Sequence, residues 1–166
     1  MLRWAIRQEA KPIAIRVPSN GVVHTTEDVD EEYSYTPKYK VAHEGSQVAI
    51  IAAGSFYQKG ENVAHLLAEK GIDATLINPR YLHAVDAEAL ESLKARHQLV
   101  VTLEDGCKDG GFGERIASYY GTSDMNVLVC GVKKDLYDRF DHQQLLADNR
   151  LLANQIADDI LNIIKK

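Results

Sequence analysis

The stretch LVVTLEDGCKDGGFGERIASYY, residues 99–120, most constrains the fold of this 166-residue chain. Its first five residues are apolar or β-branched, which predicts a buried strand of a parallel sheet. The charged residues Glu104 and Asp105 are predicted to end this strand. A glycine-rich loop follows, and the segment 114–120 predicts a helix with one buried stripe. This order places the loop at the carboxyl end of a strand, where open α/β sheets keep their binding and interface surfaces.

The glycine loop does not match the known phosphate-binding loops. Ile116 stands where a dinucleotide fingerprint that includes Gly111 needs its third small residue, and no Gly-Lys-Ser/Thr follows as in a P-loop. Glu104, Asp105 and Asp109 also repel a phosphate. A nucleotide-binding domain is therefore the least favoured interpretation, and a tight turn that packs against another domain fits better.

Composition and charge exclude several classes of partner. The 45% hydrophobic content suits one globular domain, and the net charge of −5 comes without any basic cluster, which argues against nucleic acid and anionic membranes. No apolar run approaches the roughly 20 residues of a membrane span. Charged residues interrupt the first ten positions, which are therefore unlike a signal peptide, and we expect a cytoplasmic protein.

Hydrophobic periodicity predicts alternating strands and helices, and hence a mostly parallel sheet covered on both faces. The first predicted elements are the end of a helix at 1–10, a strand at 13–17 followed by a turn at 19–21, an acidic linker at 22–37, a hairpin formed by 38–43 and 47–53, and a helix that Gly54 and Ser55 lead into and that runs to Lys70. They continue with a strand at 74–78, a helix capped by Asp86 that runs to His97, a strand at 126–132, a polar connection at 136–150 and a closing helix that begins near Leu152 and ends on Lys165 and Lys166.

Motifs for a self-contained active site are missing from the sequence. Cys107 and Cys130 have no metal-ligand spacing, and the six histidines form no zinc motif, so we predict no metal site and no catalytic residue. We interpret Cys130 as a buried apolar residue and Cys107 as an exposed thiol. In the loop after the strand at 74–78, His83 is a candidate for contact with a ligand or partner domain. Arg80 there either binds a carboxylate ligand or, as we favour, pairs with Glu104 or Asp105.

Several segments in order resemble transketolase-like enzymes that use thiamine diphosphate, most closely the 1-deoxy-D-xylulose-5-phosphate synthases. The segments AIRVP, VAIIAAG, GIDATLINPRYLHAVD, LVVTLEDGCKDGGFGE and DNRLLANQIADDIL span essentially the whole chain. The corresponding family segments read AxRYPRG, VAILAFG, RFVKPLD and LVTxEE followed by GGFG. The resemblance implies a three-layer αβα fold, α/β in class, with a mixed, mostly parallel five-stranded sheet.

The resemblance also implies a division of the chain and of the chemistry. Residues 1–21 correspond to the end of a preceding pyrimidine-binding domain, 22–37 to a linker and 38–166 to the C-terminal domain. The family holds thiamine diphosphate and magnesium through segments that are missing here, so the chain is expected to bind neither alone and to be inactive alone. The resemblance implies that the parent is a homodimer that catalyses a decarboxylating transfer from pyruvate to an aldehyde such as glyceraldehyde 3-phosphate, as in isoprenoid biosynthesis. The expected partners are the missing N-terminal and pyrimidine-binding domains.

The same resemblance assigns candidate residues. Arg16 and Ser19 are expected to line the substrate, although Ser19 stands where the family has a phosphate-binding arginine, which favours a paralogue with another acceptor. The interdomain candidates are Arg80, His83, Glu104, Gly110, Gly111 and Gly113. Two alternatives remain, namely the C-terminal domain of a 2-oxoacid dehydrogenase β subunit and a free-standing assembly module without chemistry.

Overall fold

One mixed sheet organises the molecule. The computed structural model describes residues 1–17 and 30–165, and within these ranges five strands follow the order β1-β3-β2-β4-β5. The strands are β1 (Lys40–His43), β2 (Gln47–Ala52), β3 (Thr75–Asn78), β4 (His97–Cys107) and β5 (Asn126–Val132). Only β1 runs antiparallel to its neighbour, while β3, β2, β4 and β5 pair in parallel. The predicted mixed, mostly parallel sheet is confirmed.

Helices cover both faces of the sheet, which confirms the three-layer αβα architecture. They are α1 (Leu2–Ala5), α2 (Tyr57–Ala68), α3 (Ala87–Leu93), α4 (Phe112–Tyr120), α5 (His142–Asp148) and α6 (Ala153–Ile164), with a 3₁₀ turn at Gly54–Phe56 before α2. Helices α2, α5 and α6 pack with one set of alternating strand residues, and α3 and α4 pack with the other set. Residues 48–52 of β2 are completely buried, as expected for a central strand covered on both faces.

The predicted hairpin between 38–43 and 47–53 is wrong, because β1 pairs with β3 and not with β2. The connecting residues cross the beginning of β3, where Ser46 N–H donates to the Asp73 carbonyl oxygen at 2.8 Å. Gly45 N–H donates to Thr75 Oγ1 at 2.8 Å, and a β-carbon at Gly45 would collide with the Asp73 carbonyl. The absence of a side chain at Gly45 therefore lets the chain pass over β3 and enter β2 on its far side.

Other local predictions also need correction. Residues 13–17 form no strand, the first helix covers only Leu2–Ala5, and the predicted turn at 19–21 lies outside the described residues. The polar connection at 136–150 contains α5, which Asp141 caps by accepting a hydrogen bond from Gln144 N–H. Helix α3 begins at its Asp86 cap as predicted but ends at Leu93, and His97 instead begins β4. None of the described helices combines the length and the hydropathy needed to cross a membrane.

A buried histidine joins three of these elements. His97 is 8% exposed, and its Nδ1 lies 2.9 Å from the Leu93 carbonyl oxygen, which can only accept, so Nδ1 carries the proton. Nε2 then accepts from the Thr75 hydroxyl at 2.8 Å, and the same hydroxyl oxygen accepts the Gly45 N–H. Burial holds the pKa of His97 below its ordinary value of 6.5.

This arrangement predicts that the protein loses stability as the pH falls. Because the folded-state pKa of His97 is lowered, the unfolded chain takes up a proton at a higher pH than the folded protein does. The contribution of neutral His97 to the free energy of unfolding is therefore complete above about pH 6.5 and decreases below it. Urea unfolding between about pH 7 and pH 5 should show a decreasing free energy of unfolding, with a smaller slope in His97→Gln. The exposed His65 provides a control through His65→Gln, and equal slopes in wild type and His97→Gln would contradict the assignment.

Candidate functional site

A buried carboxylate holds the glycine loop at the carboxyl end of β4. Glu104 is 5% exposed, and its two oxygens accept hydrogen bonds from the backbone N–H groups of Phe112 at 3.0 Å and Gly113 at 2.8 Å. These groups open α4 and have no acceptor within the helix, and the helix dipole favours a negative charge there. Glu104 therefore occupies the position that a phosphate takes at a helix N-terminus. The sequence predicted that β4 ends before Glu104, but the strand continues through this residue to Cys107.

Two of the loop glycines lie against Glu104 and β4 without room for a side chain. A β-carbon at Gly111 would lie 2.6 Å from Glu104 Oε1 and would also collide with the Cys107 carbonyl oxygen. At Gly113 it would lie 2.5 Å from a methyl group of Val129 and would collide with the Thr102 hydroxyl. The close approach of α4 to the sheet thus depends on both glycines.

The third glycine serves the backbone rather than the packing. Gly110 has a φ of +74°, and its N–H donates to Glu114 Oε2 at 2.7 Å. A side chain would meet no other atoms at this position, so the left-handed backbone is what favours glycine. The three glycine candidates are therefore explained by the shape of the loop, and it needs no bound ligand to explain them.

Asp105 faces away from Glu104 and ties two distant segments to the same end of the sheet. Its Oδ1 accepts from Arg16 Nη2 at 2.7 Å, and its Oδ2 accepts from the Ser55 hydroxyl at 2.8 Å. The Arg16 candidate therefore lies beside the glycine loop, with its side chain 63% exposed. Ser19, the second substrate-lining candidate, lies outside the described residues.

Arg80 does not pair with Glu104 or Asp105, so that prediction is wrong. Its guanidinium pairs with Asp30, its Nε donates to the Lys38 carbonyl oxygen at 3.3 Å, and its side chain is only 19% exposed. The rings of Tyr33 and Tyr81 lie 5.7 and 5.9 Å from the guanidinium carbon. Arg80 therefore fastens the segment 30–38 to the loop that follows β3.

His83 lies in the same loop and is exposed. Its described contact is an edge-on arrangement with the Tyr81 ring, with the centroids 6.1 Å apart. Arg115 of α4 donates to the Leu82 carbonyl oxygen at 2.8 Å and so connects this loop with the helix that follows the glycine loop. The structure therefore places the described candidates at the carboxyl ends of β3 and β4 and in the loops that follow, in two clusters around Glu104 and Arg80. Arg16 joins the first cluster through Asp105.

Lys59 on α2 is an unusual group that sequence analysis missed. Its ammonium lies 3.9 Å from the Phe56 ring centroid and has no hydrogen-bond partner among the described residues. Burial lowers the pKa of Lys59 to about 8. Its spacing of three from Phe56 and four from Val63, both buried, was the signal in the sequence that placed it on the inner face of α2.

A shallow groove of about 330 Å³ runs beside Lys59 between α2 and the helices α5 and α6.

The two cysteines lie where the sequence predicted them. Cys130 is buried and Cys107 is exposed, and burial raises the pKa of Cys130 to about 12. Within residues 1–17 and 30–165, no three acidic, histidine or cysteine side chains lie close enough to hold a metal ion.

Comparison with known proteins identifies relatives for nearly the whole chain. The family model of the transketolase C-terminal domain matches residues 37–156. A 1-deoxy-D-xylulose-5-phosphate synthase of Rippkaea orientalis is 36% identical over 157 residues, which cover 92% of this chain and 24% of the relative. The synthase of Microcystis aeruginosa is 32% identical over 97% of this chain and 26% of its own length. The chain thus spans about a quarter of the length of these curated relatives.

A solved structure, "Split gene transketolase, inactive beta4 tetramer", shares the fold. It superimposes on this chain with a TM-score of 0.69 at 25% sequence identity. The match covers 82% of this chain and 44% of that chain.

The collision at Gly111 predicts that Gly111→Ala destabilises the protein. The new methyl group displaces the Glu104 carboxylate from the start of α4, at a cost of about 2 to 4 kcal/mol. Gly121→Ala is the matched control, because a β-carbon there meets its nearest atom at 3.4 Å. Urea unfolding measures both variants, and equal stabilities would show that the packing around Glu104 does not constrain position 111.

The desolvated amine predicts that Lys59→Met stabilises the protein at neutral pH. Because the folded-state pKa of Lys59 is lowered from 10.5 to about 8, keeping its proton at neutral pH weakens the fold. Allowing for solvent screening of this half-buried group, we expect a gain of about 1 kcal/mol that disappears above about pH 10. The exposed Lys70→Met is the control, and a gain that does not depend on pH would contradict the cause.

Proposed function

This chain belongs to the transketolase C-terminal domain family, and we propose that it is the C-terminal domain of a thiamine-diphosphate-dependent transferase resembling 1-deoxy-D-xylulose-5-phosphate synthase. The observation that carries the proposal is an identity of 36% with such a synthase across 92% of the chain. The proposed parent reaction is the decarboxylating transfer from pyruvate to an aldehyde such as glyceraldehyde 3-phosphate. The chain itself serves interdomain and dimer contacts and is not catalytic alone.

The described residues do not fit a diphosphate held through a divalent cation. The N–H groups at the start of α4 already bind the Glu104 carboxylate, and the described residues contain no cluster of metal-ligating side chains. Our proposal therefore assigns thiamine diphosphate and magnesium to segments outside this chain. In this proposal, the loops at the carboxyl ends of the parallel strands present a preformed surface to those segments.

The proposal divides the chain at residues 21 and 37, with the C-terminal domain at 38–166. Residues 1–21 are assigned to the end of a preceding pyrimidine-binding domain and 22–37 to a linker. Trp4 supports a fixed contact between the two, because its ring lies 5.8 Å from that of Tyr33 and 5.7 Å from that of Tyr35. Arg7 also pairs with Glu32 at 2.7 Å.

We assign Arg16 and Ser19 to the substrate side of the parent. Asp105 supports this assignment for Arg16, because it holds the guanidinium at the carboxyl end of the sheet while most of the side chain stays exposed. Arg80, His83, Glu104 and the three glycines are then interdomain residues. They either lie on the same edge or shape its loops.

A second candidate follows from the structural relative, in which a transketolase is encoded by split genes and its β chain forms an inactive tetramer. By analogy, this chain is one polypeptide of a two-chain enzyme and assembles with copies of itself. Both candidates require further segments for activity and differ in whether those segments belong to the same polypeptide.

The assay that tests the proposal compares the chain alone with the chain combined with the remaining segments of its parent. We expect no calorimetric heat from thiamine diphosphate and magnesium with the chain alone, because the described residues offer them no site. The combination should release carbon dioxide from pyruvate when the aldehyde is added. Micromolar cofactor binding by the chain alone, or a combination that acylates a lipoyl group and ignores aldehydes, would overturn the proposal.

A second experiment addresses the acceptor through Ser19→Arg in the combined enzyme. A guanidinium at this position adds a charge-assisted hydrogen bond to a phosphate, and the expected gain in kcat/KM for glyceraldehyde 3-phosphate is about tenfold or more. Unphosphorylated glyceraldehyde should show no gain, and neither should the control Ser92→Arg on the exposed face of α3. An unchanged kcat/KM for the phosphorylated aldehyde would remove residue 19 from the substrate site.

A further inference from the structure

The two edges of the sheet differ in how they resist pairing with another strand. The edge strand β1 has four residues, carries Lys40 and His43, and contains an irregularity in its register between Val41 and His43. Shortness, charge and irregularity are the devices that protect natural sheet edges. The opposite edge strand β5 has seven residues, reads NVLVCGV, and has neither charge nor proline nor an irregularity of its own.

The outer side of β5 presents a row of peptide groups that no other described strand pairs with. Within the described residues β5 pairs with β4 alone, and the Val132 carbonyl oxygen faces β4 because it accepts from Lys108 N–H at 2.9 Å. Since peptide groups alternate in direction along a strand, those of Val127, Val129 and Gly131 face outward. The row ends at residue 133, where the N–H donates to Asn149 Oδ1 at 2.8 Å.

The charges at the two ends of β5 are opposite. Asp124 lies just before the strand, and Lys133 and Lys134 lie just after it. All three side chains are exposed, and none has an ion-pair partner in the part of the chain that the structure describes. In a chain of net charge −5, this segment carries no net negative charge and is thus a place where two copies approach without repulsion.

We propose that the open edge of β5 is a contact surface for a second copy of this chain, with the two β5 strands antiparallel about a two-fold axis at Val129. In this register Val127 of each copy lies opposite Gly131 of the other, and Val129 lies opposite its own copy. The three outward peptide units then form about six hydrogen bonds across the axis. The same register places Asp124 of one copy opposite Lys134 of the other at both ends, so the contact is self-complementary in charge as well as in hydrogen bonding.

This inference rests on the assembly role proposed above and adds the surface that serves it. It needs neither the cofactor nor the substrate, because every group that it uses lies between residues 124 and 134. Failure to reconstitute the reaction would overturn the proposed function and leave this contact intact. A chain that stays monomeric but reconstitutes the reaction would overturn the β5 contact and leave the proposed parent reaction intact.

Sedimentation of the full chain over a range of concentrations tests the contact. We expect a dimer, and we expect Asp124→Lys to weaken its association about tenfold, because the two-fold axis repeats each reversed charge pair twice. Combining Asp124→Lys with Lys133→Glu and Lys134→Glu restores opposite charges and should restore the dimer. Lys70→Glu, on an exposed turn after α2, is the control and should leave association unchanged. Circular dichroism melts confirm that each variant is folded.

Hydrogen exchange supplies a readout for individual residues. On dimerisation, exchange at the amides of Val127, Val129 and Gly131 should slow as the protein concentration rises, while Leu128 and Cys130, whose peptide groups face β4, should exchange equally slowly at all concentrations. A chain that stays monomeric overturns the proposal. A dimer whose association is unchanged by Asp124→Lys also overturns it. So does a dimer in which the amides of Val127, Val129 and Gly131 exchange as fast as in the monomer.

Discussion

The position of the Glu104 carboxylate determines the structure at the carboxyl ends of the parallel strands. Glu104 reaches the first N–H groups of α4 because β4 continues past the point at which its apolar run ends. Strand alternation then turns Asp105 to the opposite side, where it holds Arg16 and Ser55. The inward carboxylate holds a helix, and the outward one holds residue 16 and the 3₁₀ turn before α2, so two consecutive residues determine the local architecture.

This arrangement explains why a glycine loop before a helix does not here imply a phosphate site. The helix N-terminus offers the usual N–H groups and partial positive charge, but a negative group of the same chain already satisfies them. A loop filled in this way is rigid before any partner arrives, so it suits contacts that require a preformed shape. The buried, hydrogen-bonded Glu104 thus argues against the binding of a small anion at the start of α4.

The sequence predicts what is local and periodic. The buried strands, the Asp86 cap and the alternation of strands and helices follow from patterns within a few residues of one another. The partner of β1 could not be predicted, because pairing with β3 depends on contacts of Gly45 and Ser46 with residues 73–75, almost thirty positions away. The Arg80 partner was missed for a similar reason, since Asp30 lies fifty positions earlier in the chain. Helix α5 was missed because its buried face consists of little more than Leu146.

Arg80 combines two requirements that conflict within a single residue. Its φ of +55° is a conformation that glycine or asparagine adopts at lower cost, yet only a guanidinium can pair with Asp30, donate to the Lys38 carbonyl and contact two tyrosine rings. An exchange that relaxes the backbone therefore releases the segment 30–38, and an exchange to another long side chain keeps the strain without the full set of contacts. A substitution at position 80 therefore cannot relax the backbone and keep the segment 30–38 attached at the same time.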